Sequence, residues 1–342
     1  MGAKVISMIN YKGGVGKTVS TYNIGYGLAF LNDARVLLID LDPQCSLSTV
    51  CFKAISRTYN RIIDISNISE DQTINSVIKY YLSAGQNNPN IDLDKVITHI
   101  PYTCYDGTKF NKVDFIAATM YDSGNNYYEK GLDDLEIDIV RNYANQISHI
   151  NLVTLFSRFM LDTKINQMYD FIIFDCPPAN NIITQNALAV SDYYLIPTIM
   201  DDLSSNGINH LKNLIENSIF AELYRCNSGL IDRSSYGSQY ECLKYPPQLL
   251  GIFETLRKTT VQYNSRDIVK QRFGPLLFDE IIYHHKGTGD YTSAGYSCFS
   301  QNINENNQQY APHVNYGKLV LSILARLGLP KVNNGKTYNS WL

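Results

Sequence analysis

The apolar, β-branched run KVISMI (residues 4–9) passes without a spacer into NYKGGVGKT (10–18), and a helical pattern follows in which Ile24, Leu28 and Leu31 are spaced by four and three. No other stretch constrains the fold as tightly. A buried strand, a glycine cluster and a helix in direct succession make the chain turn sharply at a strand end and present backbone N–H groups at a helix N-terminus. That geometry belongs at the carboxyl edge of a parallel sheet.

The rest of the chain repeats the same alternation. RVLLID (35–40), VDFIAAT (113–119), YDFIIFD (169–175), DYYLIPTIM (192–200), QLLGIF (248–253) and LLFDEII (276–282) read as buried strands, and stretches such as 203–225 and 311–327 as helices. Near-continuous apolar strands alternating with helices predict an α/β fold: a mainly parallel twisted sheet with helices on both faces. With 342 residues and no domain-sized linker, a single elaborated domain over 1–342 is expected. Residues 53–112 and 226–246 read as insertions, and 283–310 as a long loop.

Composition excludes more than it identifies. The net charge of −3 offers no global field for nucleic acid, so any such binding requires a local patch. The seven cysteines (45, 51, 104, 176, 226, 242 and 298) are scattered, odd in number and without a C-x-x-C pair, which fits a reducing compartment. There is no 18-residue apolar run, and the N-terminus has no signal-peptide pattern, so a cytoplasmic protein that does not bind membrane is expected. The apolar stretch GKLVLSILARLGL (317–329) carries cations only at Lys318 and Arg326, and reads as a packed core helix. His284 and His285 read as loop histidines.

In the strand-to-helix context, Lys12, Gly13, Gly14, Val15, Gly16, Lys17 and Thr18 form a candidate phosphate nest. The glycines let amides turn inward around anionic oxygens, Lys17 is placed for β- and γ-phosphates, and the Thr18 hydroxyl for Mg²⁺. The common pattern G-x-x-x-x-G-K-[ST] would require glycine at position 11, where Tyr11 stands.

The segment YKGGVGKT resembles instead the deviant Walker A loop, K-G-G-x-G-K-[ST], of the ParA/MinD superfamily, within the P-loop NTPase fold. The resemblance implies ATP and Mg²⁺ as ligands and a homodimer closed around two nucleotides, with Lys12 reaching the phosphates of the other subunit. LLIDLDPQ (37–44) resembles that family's first switch, which implies Asp42 on the attacking water and Asp40 near Mg²⁺. YDFIIFDCPP (169–178) resembles its Walker B and second switch, which implies Asp175 on Mg²⁺. LGIFETLRKTTVQYNSRDIVKQRFGPLLFDEII (250–282) resembles the ParA branch, whose base pocket this region serves, making Thr255 and Arg257 candidates there. Asp42 and Asp175 stand 133 positions apart, wider than in compact members.

The ParA resemblance further implies plasmid or chromosome segregation, a ParB-like adaptor, non-specific DNA as partner and a place on the nucleoid. Positioning of another cargo, or a nucleotide-gated module with negligible hydrolysis, are alternative readings. Arg257, Lys258, Arg266, Lys270 and Arg272 read either as a DNA-backbone patch or as a solvated helix face.

Overall fold

Alternation along the central strands decides which side of the sheet each residue fills. Val5, Leu37, Ile39 and Ile172 pack into the core on one face, and Ile6, Leu38 and Ile173 into the core on the other. A strand apolar on both faces has to be covered on both, and helices supply the cover. The computed structural model describes residues 2–83, 91–103, 109–121, 131–143, 147, 149–201, 203–219, 221, 246–258, 265–300 and 311–329.

Among these residues eight strands form one sheet: β1 (Lys4–Met8), β2 (Val36–Asp40), β3 (Thr98–Thr103), β4 (Lys109–Ile116), β5 (Phe171–Asp175), β6 (Tyr193–Thr198), β7 (Gln248–Arg257) and β8 (Leu277–Tyr283). Their order is β3-β4-β2-β5-β1-β6-β7-β8. Every pair is parallel except β3 with β4, which places the one antiparallel strand at an edge.

Among the described residues the α-helices of seven or more residues are α1 (Lys17–Asn32), α2 (Ser46–Tyr59), α3 (Ile74–Ser83), α4 (Leu132–Asp138), α5 (Leu155–Thr163), α6 (Ile182–Val190), α7 (Ser204–Asn213), α8 (Ser265–Phe273), α9 (Lys286–Ser293) and α10 (Pro312–Arg326). Ile24 and Leu28 of α1, Val50 of α2, and Leu319 and Val320 of α10 fill one core. Val77 of α3, Phe156 and Phe159 of α5, Leu188 of α6 and Ile208 of α7 fill the other. Each such side chain contributes about 1.5–3 kcal/mol when fully buried. Leu319, Val320, Ile323 and Leu324 are wholly buried, so α10 is the packed helix its sequence suggested. No helix among the described residues is long and apolar enough to cross a membrane.

The stretches set apart in the sequence take these places. The described part of 53–112 completes α2, forms α3 and supplies β3 and the start of β4, which pairs in parallel with β2; 84–90 and 104–108 lie outside the described residues. These elements, with α4 and α5, occupy the long interval between Asp42 and Asp175. Residues 226–245 of the second stretch lie outside the described residues. The region 283–310, expected as a loop, contains α9 and a buried turn at Cys298 and Phe299, while 301–310 lie outside the described residues. Polar anchors order this segment despite its composition. Tyr22 donates to the Gly295 carbonyl at 3.1 Å, the Asn23 side chain accepts from the Cys298 amide at 2.8 Å, and the Arg57 guanidinium lies over the Tyr296 ring at 3.5 Å.

Candidate functional site

β1 ends in the centre of the sheet and delivers residues 9–16 to its carboxyl edge, where α1 starts at Lys17. The turn depends on left-handed backbone at Gly14 (φ 71°) and Gly16 (φ 78°). A side chain at either position would cost about 1–2 kcal/mol. Val15 is fully buried, and its carbonyl accepts the Thr255 hydroxyl at 2.8 Å, which fastens the loop to β7. Asn10 holds the other end: its side chain donates to the Pro197 carbonyl at 2.8 Å and accepts from the Lys12 amide at 2.9 Å.

The Lys17 ammonium is buried inside the loop and donates to the carbonyls of Asn10 (3.1 Å) and Lys12 (3.4 Å). Burial lowers its proton affinity, and the charges of Asp175 and Asp42 work against that shift. The lysine is thus folded back onto the carbonyls of its own loop.

Asp40 and Asp175 are partners in the β2–β5 register, and both are buried. Thr18 donates to one Asp175 oxygen at 2.7 Å and Thr21 to the other at 3.1 Å. Asp40 is occupied differently. One oxygen accepts both the amide and the hydroxyl of Ser48 (2.8 and 2.7 Å), and the other accepts the Asp42 amide at 3.1 Å. Asp40 therefore shapes the turn into α2, while Asp175, among the described residues, is paired with hydroxyls of α1. Burial raises the proton affinity of both carboxyls, and for Asp175 the neighbouring Asp40 charge raises it further. Two desolvated like charges side by side are an unfavourable arrangement that a cation would relieve.

Asp42 is half-buried and accepts the Gln44 amide at 2.9 Å. With Gly13, Gly14, Lys17, Thr18 and Pro178 it lines a cavity of about 670 Å³. A second cavity of about 320 Å³, lined among others by Thr255, Tyr283, His285, Thr288 and Tyr316, adjoins it; Gly16, Val19 and Leu256 border both. Leu256 sits at φ 56°, where the β7–β8 register shifts. A leucine in the left-handed region is rare, and such strain gathers at binding sites. The sequence pointed to Thr255 but not to the 283–288 segment, whose polar letters gave no hint that it returns to the loop.

Lys12 lies on the exposed rim, where its ammonium pairs with Asp201 in the turn after β6. The proposed basic patch divides. Arg257 and Arg266 both bond to Glu254, which is 1% exposed, at 2.7 and 2.9 Å. Arg266 also donates to the carbonyls of Phe278 and Asp279. A carboxylate buried on β7 requires compensating cations, and these two guanidiniums supply them. They are structural, and Arg257 belongs to the lining of neither cavity. Lys258, Lys270 and Arg272 remain exposed; Lys270 stands 3.5 Å from Asp279, and Arg272 bonds to Ser205 and Asn206 of α7. Among the described residues Cys45, Cys51, Cys176 and Cys298 are buried free thiols.

Comparison with known proteins agrees with this geometry. Residues 3–103 and 135–224 match the family described as an AAA domain. The chromosome-partitioning ATPase Soj of Treponema pallidum is 26% identical over 95% of this chain and 98% of its own. An uncharacterised protein of Mycobacterium tuberculosis is 28% identical over 82% of this chain and 67% of its own. Among solved structures, the ATP complex of a Cyanothece McdA variant superposes with a TM-score of 0.60 at 16% identity, covering 96% of this chain and 98% of that one. A plasmid partition protein of Borrelia burgdorferi bound to AMPPNP gives 0.58 at 19%, with the same coverage. A glycine nest on a parallel sheet, the paired carboxylates at its edge and a family match over more than half the sequence lead to one conclusion: the chain belongs to the AAA domain family as a P-loop ATPase of the ParA/MinD type.

Proposed function

We propose that the chain binds ATP with Mg²⁺, closes as a homodimer around two nucleotides, and hydrolyses ATP as a switch in plasmid or chromosome segregation. One observation carries the reading: the glycine nest, Lys17, Thr18 and Asp42 converge on a single cavity that continues past Gly16 into a second. The first has the groups for a triphosphate, and the second has room for a nucleoside beside Thr255.

Magnesium fits the residues present. Asp175 is a buried carboxylate held by the Thr18 hydroxyl, and no group of three or more His, Cys, Asp or Glu suited to a metal occurs among the described residues. Mg²⁺ favours such sparse sites, taking one or two carboxylates and completing its shell with phosphate oxygens and water. Thr18 and Asp175 would hold it, with Asp40 adding its charge from the neighbouring strand. When bound, the ion neutralises charge on the phosphate oxygens.

The chain's own groups divide the remaining work. Gly13 to Gly16 turn amides toward the phosphates, and Lys17 exchanges its carbonyl partners for phosphate oxygens. Asp42, on the cavity wall, orients the attacking water. Lys12 leaves Asp201 and reaches the phosphates of the second subunit, so that hydrolysis depends on dimerisation. Exposed Lys258, Lys270 and Arg272 are the candidates for holding DNA on the nucleoid, and a ParB-like adaptor is the expected trigger.

Phosphate release, measured with and without DNA, and size-exclusion chromatography with and without ATP test this reading. DNA-stimulated release together with an ATP-dependent dimer supports it. A monomer that releases no phosphate in any of these conditions overturns it.

A further inference from the structure

α6 starts seven residues after Asp175, and a side chain from another part of the fold holds its first turn. Glu136, on α4, accepts the Ile182 amide through one oxygen at 2.8 Å and the Ile183 amide through the other at 3.2 Å. Asn181 already caps the helix by accepting the Thr184 amide at 2.8 Å. All three leading amides of α6 are therefore satisfied, two of them by a carboxylate 46 positions away. The placement is favourable for a helix N-terminus. It is also costly, because burial pushes the Glu136 carboxyl above its ordinary range. Capping alone did not require this charge, since an Asn or Ser within the turn commonly suffices.

What lies between the two anchors gives the contact its meaning. Upstream, the Cys176 amide donates to the Met8 carbonyl at 3.1 Å, which fixes the strand end bearing Asp175. Downstream, Glu136 fixes Ile182. The intervening residues include Pro177, which is buried, and Pro178, which lines the larger cavity. Two successive prolines leave little torsional freedom, so the segment passes a displacement at one end to the other.

We infer that Glu136 is a positioning residue for the magnesium and phosphate side of the site: by fixing the start of α6 it fixes the Pro177–Pro178 turn and, through it, the placement of Asp175. The inference rests on the ATP·Mg²⁺ reading above. It assigns to α4 the support of the second switch, a part that no motif in the sequence marks.

The test compares the full-length protein with Glu136→Ala and Glu136→Gln, using ADP titrations in EDTA and across a Mg²⁺ series, with amide exchange at Ile182 and Ile183. In Glu136→Ala the Mg²⁺ concentration for half-maximal gain in ADP affinity rises about ten-fold, the low end of what losing a direct partner of a metal ligand costs. ADP affinity in EDTA stays within about two-fold, and the two amides exchange faster. Glu136→Gln, which keeps one acceptor oxygen, falls between. A variant that melts earlier but shows the wild-type Mg²⁺ requirement is missing only a helix cap, and that result overturns the inference. Should Glu136→Ala not fold, an unchanged Mg²⁺ requirement in Glu136→Gln overturns it equally. If the wild-type protein itself binds ADP without any Mg²⁺ dependence, the magnesium reading falls first; if only the variants match a Mg²⁺-dependent wild type, the inference alone falls.

Discussion

Lys12 and Asp201, 189 residues apart in sequence, are ion-paired at the rim of the glycine loop. The pair is 46% and 38% exposed, so it contributes about 0.2–1 kcal/mol. Slight burial would raise the Asp201 proton affinity, but hydrogen bonds from Lys12 and Ser204 bring it below the ordinary value. The contact holds the lysine within its own chain by a margin that the proposed dimer interface easily exceeds.

Asp201→Asn therefore releases Lys12 at little cost in stability. ATP-dependent dimerisation should strengthen by up to about five-fold, the equivalent of about 1 kcal/mol, in sedimentation experiments. Lys12→Ala should leave nucleotide affinity of the monomer within about three-fold while lowering dimer-dependent turnover by about 10³-fold. Unchanged turnover in Lys12→Ala would contradict a role across the interface.

Asp42 lines the larger cavity, while Asp40 holds its backbone amide. Asp42→Ala should keep the turn and lose the group that orients water. Hydrolysis falls by about 10²–10⁴-fold, and an ATP-bound dimer accumulates on size-exclusion chromatography. Elution as a monomer alone with ATP would remove Asp42 from the hydrolytic step.

Asp175→Asn should separate stability from function. The carboxyl's proton affinity is raised in the fold, by burial and then by Asp40, so its stability contribution is present at low pH and declines as pH rises from about 4 toward the raised value. Removing the charge should stabilise the nucleotide-free protein by about 1–2 kcal/mol at alkaline pH and by almost nothing near pH 4. The same change should abolish the Mg²⁺ dependence of ATP binding. Equal melting temperatures for wild type and variant at every pH would show that the buried charges do not strain the fold.

The basic residues near α8 call for two different experiments. Arg266→Ala leaves Glu254 with one guanidinium in a buried site and should cost about 3 kcal/mol in denaturant unfolding. Lys258→Glu with Lys270→Glu should change stability by no more than about 0.5 kcal/mol and should weaken DNA retention at low salt. DNA retention that persists in the double variant would exclude these lysines as the contact.

Much of the site was legible because its parts are local. The order strand, glycines, Lys17, Thr18, helix is a contiguous run, and backbone sterics at Gly14 and Gly16 allow that run few other shapes. Asp40 and Asp175 announce themselves at the ends of apolar strands, and parallel pairing in a covered sheet then brings strand ends together. The edge was harder to read. β3 is antiparallel at the margin and begins in the polar letters THIPYT, without the unbroken apolar run that marks a central strand. Likewise the segment through α9 looked like a loop, since Tyr22, Asn23 and Arg57, which order it, lie more than 200 positions earlier.

Charge is where sequence and structure part most clearly. Arg257 and Arg266 spell a basic cluster in one dimension, yet both charges turn inward once Glu254 is buried beneath them. Lys12 finds Asp201, and the α6 amides find Glu136, by the same kind of long-range encounter. The sequence by itself determined the glycine loop, the parallel α/β sheet and the two carboxylates at its edge, because short-range sterics and strand periodicity specify them. Only the tertiary structure decided which charged groups face solvent and which are consumed in pairs, because burial and Coulomb energy depend on distances that the chain sets only when it folds.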